Sequence, residues 1–185
     1  MLLATSLFSC AKETVNKYLP YTSENTGDAL TNAATHYIGE YFGGGVIYWL
    51  DTTGEHGLVA SVADIGFTSW RNGTFVVTGA KGTAIGTSAS NTRKIIRIQG
   101  RTGNYAALLC AEYSNDGYSD WFLPSVDELN ALFIQKNLLG GVWGDGYWSS
   151  TENARHFAWY QYFVDGYQNF FLKSNNVSVR AIRYF

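Results

Sequence analysis

The chain has 185 residues, 46% of them hydrophobic and 16% aromatic, enough for one domain with a substantial core and a tail. Its formal net charge is −2, so it lacks the basic field that holds a nucleic-acid backbone, and DNA and RNA are set aside as partners. Twenty glycines against two prolines suggest a loop-rich α+β or β fold.

The opening MLLATSLFSC is a short apolar run closing on Cys10. Leu7-Phe8-Ser9-Cys10 resembles the lipobox of bacterial lipoproteins, in which the cysteine becomes the acylated first residue. No Lys or Arg precedes the run, as a start codon placed too late would produce; an ordinary N-terminus is the alternative. No other segment approaches the roughly 20 apolar residues that span a bilayer. Residues 11–36 are polar, unpatterned and contain Pro20, which suits a tether. The expected organisation is a signal remnant over 1–10, a flexible tether over 11–36 and a folded domain over 37–185.

Within the domain, Gly43-Gly44-Gly45 leads into the apolar run Val46–Leu50, and a turn over Asp51–Gly57 leads into Leu58–Ser61, which predicts a hairpin with a longer loop. The triple glycine lacks the Lys-Ser/Thr and helix of a phosphate cradle, so it is a strand entrance. Ala63–Ser90 is Gly-, Thr- and Ser-rich, with Trp70 and Phe75-Val76-Val77 as its apolar points, and suits loop with a short strand. Asn91-Thr92 is placed to cap a helix carrying Ile95, Ile96 and Ile98 that Gly100 ends. A second helical spacing over Tyr105–Glu112 makes Cys110 a reduced core thiol. Ser125 and Glu128 have the spacing of a capping box, opening a helix whose buried stripe is Val126, Leu129, Leu132 and Phe133. Leu138–Gly146 is a Gly-rich connection containing Trp143.

The last 39 residues, Tyr147–Phe185, hold 12 of the 30 aromatic residues, which makes this stretch the focus of any recognition surface. Two alternating runs, His156–Val164 and Tyr167–Lys173, flank Asp165-Gly166, the dipeptide of a two-residue type I′ turn. Pairing Val164 with Tyr167 puts Tyr160, Tyr162, Val164, Tyr167, Asn169 and Phe171 on one face and Trp159, Gln161, Phe163, Gln168, Phe170 and Leu172 on the other. A face of Tyr with Asn suits ligand recognition, because the phenol offers large rigid area and a hydroxyl at low entropic cost; the alternative is that it is core. Val177–Arg183 alternates and predicts a closing strand, with Asp127, Glu128 or Glu152 as partners for Arg180 and Arg183.

The motifs GYSDWFLPSVDEL (117–129), GYWSSTE (146–152) and VRAIR (179–183), after the upstream GGGVIYWLD (43–51), resemble the C-terminal domain of bacterial collagen-like adhesins, which is related in fold to C-type lectins and formylglycine-generating enzymes. The resemblance implies a C-type lectin-like α+β fold with two or three helices packed on small antiparallel sheets and a C-terminal hairpin. The final stretch is also similar to the variable proteins of diversity-generating retroelements, in which adenines of a template are randomised and Asn codons become codons ending in a pyrimidine. Such codons exclude Lys, Glu, Gln, Met and Trp. The resemblance therefore implies that Glu152, Trp159, Gln161, Gln168 and Lys173 are fixed scaffold, while positions between 153 and 178 vary.

On that reading the ligand-binding residues are Arg155, His156, Phe157, Tyr160, Tyr162, Val164, Asp165, Tyr167, Asn169, Phe171 and Asn175. The ligand is a protein or glycan on another cell, phage or host surface, and Cys10 carries a lipid that holds the protein at the outer surface of the bacterial envelope; a secreted or phage-encoded protein is the alternative. No catalytic residue, cofactor or metal ligand is assigned. The paired cysteines of formylglycine-generating enzymes are missing, since Cys110 is the domain's sole cysteine. Trp148 is followed by Ser-Ser where calcium-dependent lectins carry Asn-Asp, and His36, His56 and His156 lack metal-site spacing. Trp121 and Trp148 are expected as core pillars. A fixed-sequence adhesin, or an enzyme of the formylglycine-generating type, is the alternative.

Overall fold

A computed structural model of the protein describes residues 36–139 and 145–185. Cys10, the tether up to Thr35 and the connection around Trp143 lie outside the described residues. Among the described residues the elements run β1 (Tyr41–Phe42), β2 (Gly45–Leu50), β3 (Gly57–Ala60), β4 (Gly66–Ser69), α1 (Ser88–Gln99), α2 (Ala106–Glu112), α3 (Val126–Ile134), β5 (Gly146–Glu152), β6 (Phe157–Tyr162), β7 (Gln168–Leu172), β8 (Asn176–Val179) and β9 (Ile182–Tyr184). One sheet has the order β1-β2-β3-β9 and is antiparallel; the other has the order β4-β8-β5-β6-β7, antiparallel except between β5 and β8. This is the expected α+β fold of three helices on two small sheets.

The apolar runs of β2 and β3 are continuous because both faces of their sheet are covered. Ile47 and Val59 enter a core with Trp70, Ile95, Leu108 and Trp148, while Tyr48, Leu58 and Ala60 enter a second with Leu129, Leu132 and Phe163. Gly43 and Gly44 sit at φ +58° and +78°, forming the two-residue turn between β1 and β2 that demands positive φ at both positions. The capping box of α3 forms as predicted. Glu128 Oε2 accepts from the Ser125 amide at 2.7 Å, and its Oε1 also takes the Gly86 amide and the Tyr184 hydroxyl, both at 2.8 Å. Val126, Leu129 and Leu132 are buried, with Phe133 partly so. Trp121 and Trp148 are core pillars, and Cys110 is a buried free thiol.

One expectation is given its place and three are corrected. The short strand expected in the Gly-rich segment falls at Gly66–Ser69, paired with β8. Helix α1 begins at Ser88, ahead of Asn91, because the Asn91 amide is committed elsewhere: it bonds both the N–H and the C=O of Gly82 and so ties down the preceding loop. The closing strand is two strands in different sheets. The chain crosses between them at Arg180-Ala181, which delivers Arg180 to Asp64 (2.7 Å) and Arg183 to Asp120 (2.7 and 3.0 Å) instead of to Asp127, Glu128 or Glu152.

The third correction concerns the hairpin. Its ladder pairs Tyr160 with Asn169, Trp159 with Phe170 and Phe157 with Leu172, two residues away from the expected register. Asp165 keeps a negative φ, and only Gly166 is left-handed at +85°. The cause is Phe163, whose amide bonds Asp145 O at 2.8 Å, whose carbonyl takes Lys136 Nζ at 2.6 Å and whose ring packs against Tyr147 and Phe133. Phe163 thus stays with β5 and α3, and the hairpin closes at Tyr162 and Tyr167 over a four-residue loop. A shift of two preserves side-chain alternation, so the paired residues keep the faces expected of them, while Phe163 and Val164 leave the ladder for the loop.

Candidate functional site

The five positions expected as fixed scaffold make structural contacts. Glu152 and Lys173 form a buried ion pair at 2.6 Å. Glu152 also accepts from the amides of Thr78 and Gly79 at 2.9 Å, and the Lys173 ammonium lies 4.3 Å from the Trp70 ring centre and bonds Val76 O. Burial pushes the Glu152 pKa up, but the Lys173 bond and the two amides pull harder and leave it below the usual carboxylate range. Gln161 is wholly buried, its amide donating to Asn130 Oδ1 and Gly166 O, and Gln168 donates to Val126 O. Trp159 is half-buried, edge-on to Phe170. These ties fasten the hairpin to α3 on one side and to the 76–79 loop on the other.

The opposite face carries rings held by this frame. Tyr160 and Phe171 lie 5.2 Å apart over the buried Trp148, at 6.4 and 6.3 Å from it. With Tyr162, Phe67, Asp145, Gly146, Asn176, Val177 and Ser178 they line an open groove of about 320 Å³. Tyr160 and Tyr162 are half-buried, Phe171 is 40% exposed and Tyr167 59%. Partial burial, then the phenols of Tyr167 and Tyr162 and the charge of Asp165, raise the Tyr160 pKa and keep its hydroxyl a donor at neutral pH.

The eleven expected site residues do not form one patch. Tyr160, Tyr162 and Phe171 meet in the groove, and Tyr167 and Asn169 adjoin each other through an Asn169 amide to Tyr167 hydroxyl bond of 3.2 Å. Val164 and Asp165 form the exposed loop tip, where Asp165 accepts from the Tyr167 amide at 2.9 Å. Arg155, His156 and Phe157 lie at the other end of β6, about 17 Å from Tyr162 along the strand. There the His156 ring packs at a tilt against Phe75 (centroids 4.7 Å apart) and Arg155 donates to Phe75 O. Asn175 sits half-buried in the turn after β7, its amide on Leu172 O. Phe67, 68% exposed, and Asp145 are groove residues that the sequence reading missed; nothing in the sequence signals that Gly66–Ser69 joins the hairpin's sheet.

Burial pushes the Cys110 thiol well above its usual range, so it offers no thiolate. Among the described residues no three His, Cys, Asp or Glu side chains cluster as a metal site. A larger hollow of about 780 Å³ lies along α1, with Arg93, Arg97 and Arg101 on its wall and Ile96, Trp121 and Phe122 among its apolar lining.

A domain of this α+β fold is matched by a described family. The family model of the Lcl C-terminal domain matches residues 59–183, more than half of the chain, and the protein belongs to that family. A search of curated proteins finds no match to the chain.

Proposed function

We propose that the protein is a ligand-binding receptor or adhesin of the bacterial cell surface, held in the envelope by a lipid on Cys10, with the β6–β7 hairpin as a diversified binding face in a C-type lectin-like domain. The observation that carries the reading is the division of labour between the hairpin's open face and the frame that holds it. Gln161, Glu152 and Lys173 are buried and bonded, while Tyr160, Tyr162, Tyr167 and Phe171 stand partly in water above them. Side chains on the open face can change without removing the ties beneath. Binding there combines burial of ring area, at about 25 cal/mol per Å² before ordering costs, with hydrogen bonds from phenols and Asn.

The test uses the full chain as bait against phage-displayed random peptides and immobilised glycans. Tyr162→Ala and Tyr160→Ala are expected to abolish capture while the far-UV spectrum and melting transition are retained. Unfolding of both variants would show that the face is core. Sequencing the 3′ end of the gene from sibling cells separates the diversified receptor from a fixed adhesin: substitutions confined to positions 153–178 support diversification, and a uniform sequence supports the fixed form. Cys10→Ser is expected to move the protein from the membrane to the soluble fraction.

A further inference from the structure

The hairpin groove has a charge sign as well as a shape. Tyr160, Tyr162, Phe171 and Phe67 supply four rings, and among the described residues Asp145 is the one formal charge in the lining, with neither Lys nor Arg beside it. The face of an aromatic ring is the negative end of its quadrupole, so rings around a narrow groove attract a cation, and an adjacent carboxylate strengthens that attraction where water is partly excluded. Asp165 extends the same field, since its charge contributes to the raised pKa of the Tyr160 phenol after burial and the neighbouring phenols. The hollow along α1 has the opposite sign, with three arginines. At about 320 Å³ the groove is at the small end of pockets that enclose a whole ligand, and suits one side chain presented by a larger partner.

From these observations we propose that the groove receives a cationic side chain, the guanidinium or ammonium group of an Arg or Lys exposed on a protein ligand, seated among Tyr160, Tyr162, Phe171 and Phe67 and paired with Asp145. This rests on the hairpin face being the binding surface. It adds a constant element to that reading. Phe67 and Asp145 lie outside positions 153–178, so diversification leaves one ring and the carboxylate in place. Variants would then share a basic anchor on their partners and differ in what surrounds it.

The peptides captured by the full chain provide the test. Sequences whose capture depends on Tyr162 are expected to share an Arg or Lys at one position. Replacing it with citrulline, which keeps size and planarity but not charge, is expected to weaken binding about tenfold, and Asp145→Asn to weaken the parent peptide by a similar factor. Arg93→Ala, in the α1 hollow, is expected to change nothing. Comparing Arg with Lys at the anchor position distinguishes the two cations. Captured peptides with no shared basic residue, equal binding of the citrulline peptide, or an inert Asp145→Asn would overturn the proposal and leave the hairpin reading standing. Capture of glycans alone would overturn the protein ligand. Capture that survives both Tyr160→Ala and Tyr162→Ala would sink the hairpin reading itself.

Discussion

Glu152 keeps its charge in the interior only while Lys173 and the amides of Thr78 and Gly79 surround it. Glu152→Gln leaves the Lys173 ammonium buried without its counter-charge and is expected to cost about 3–5 kcal/mol in urea unfolding at neutral pH. The double variant Glu152→Gln/Lys173→Met is expected to lose less than the sum of the two single changes. The pH dependence follows from the lowered carboxyl: its stabilisation is complete above the unfolded value of about 4.3 and is lost as pH falls through the lower folded value. Urea midpoints between pH 5 and pH 2 should fall more steeply for the parent than for Glu152→Gln. On the open face the expectation reverses. Tyr162→Ala should cost under about 1 kcal/mol, whereas Trp148→Ala, which removes a wholly buried ring and its indole bond to Thr68 O, should cost about 3–5 kcal/mol.

The hairpin's turn marks where local sequence stops deciding structure. Asp165-Gly166 is a strong two-residue turn signal, yet the loop has four residues, because the burial of Phe163 against Phe133 and Tyr147 outweighs a local turn preference. Gly166 remains essential for a different reason. Its φ is +85°, and an added Cβ would meet the Phe133 ring at 2.5 Å, so Gly166→Ala should destabilise the domain by about 1–3 kcal/mol in thermal unfolding. Asp165→Asn, which favours a type I′ turn, should give no gain. The same contrast runs through the other elements. The capping box of α3 and the apolar run of β2 are legible because their residues are sequence neighbours. The early start of α1 is not, since it depends on Asn91 bonding Gly82 across a loop.

Across the whole domain the C-terminal segment joins the two sheets. β8 lies in one and β9 in the other, with Arg180 and Arg183 bonded to acidic residues of distant loops. Deleting residues 182–185 removes the partner of β3 and the pair Arg183–Asp120, and is expected to abolish the cooperative unfolding transition. Alternation over Val177–Arg183 reveals strand but not a change of sheet, so the arginines' role was legible as structural and their partners were not. The candidate face divides in the same way. Its tyrosines stand out as a composition, while the Phe67 and Asp145 wall comes from segments 78 and more than a dozen residues distant from Asp145 and Tyr160 respectively, joined only by sheet order.

Strand β7 lies at the rim of its sheet, and the Phe170 amide, which points away from β6, is occupied by the side-chain oxygen of Asn169 at 2.8 Å. That bond blunts a template on which another copy of the chain could build. Position 169 is also among those expected to vary. Variants bearing Phe or Leu there would uncover the amide and add apolar surface beside it, so they should self-associate in sedimentation velocity while Ser and Asp variants stay monodisperse. If the face is diversified at a bacterial envelope, as proposed, crowding there would tolerate fewer sequences than randomisation generates, culling repertoire members for stickiness before any of them meets a target.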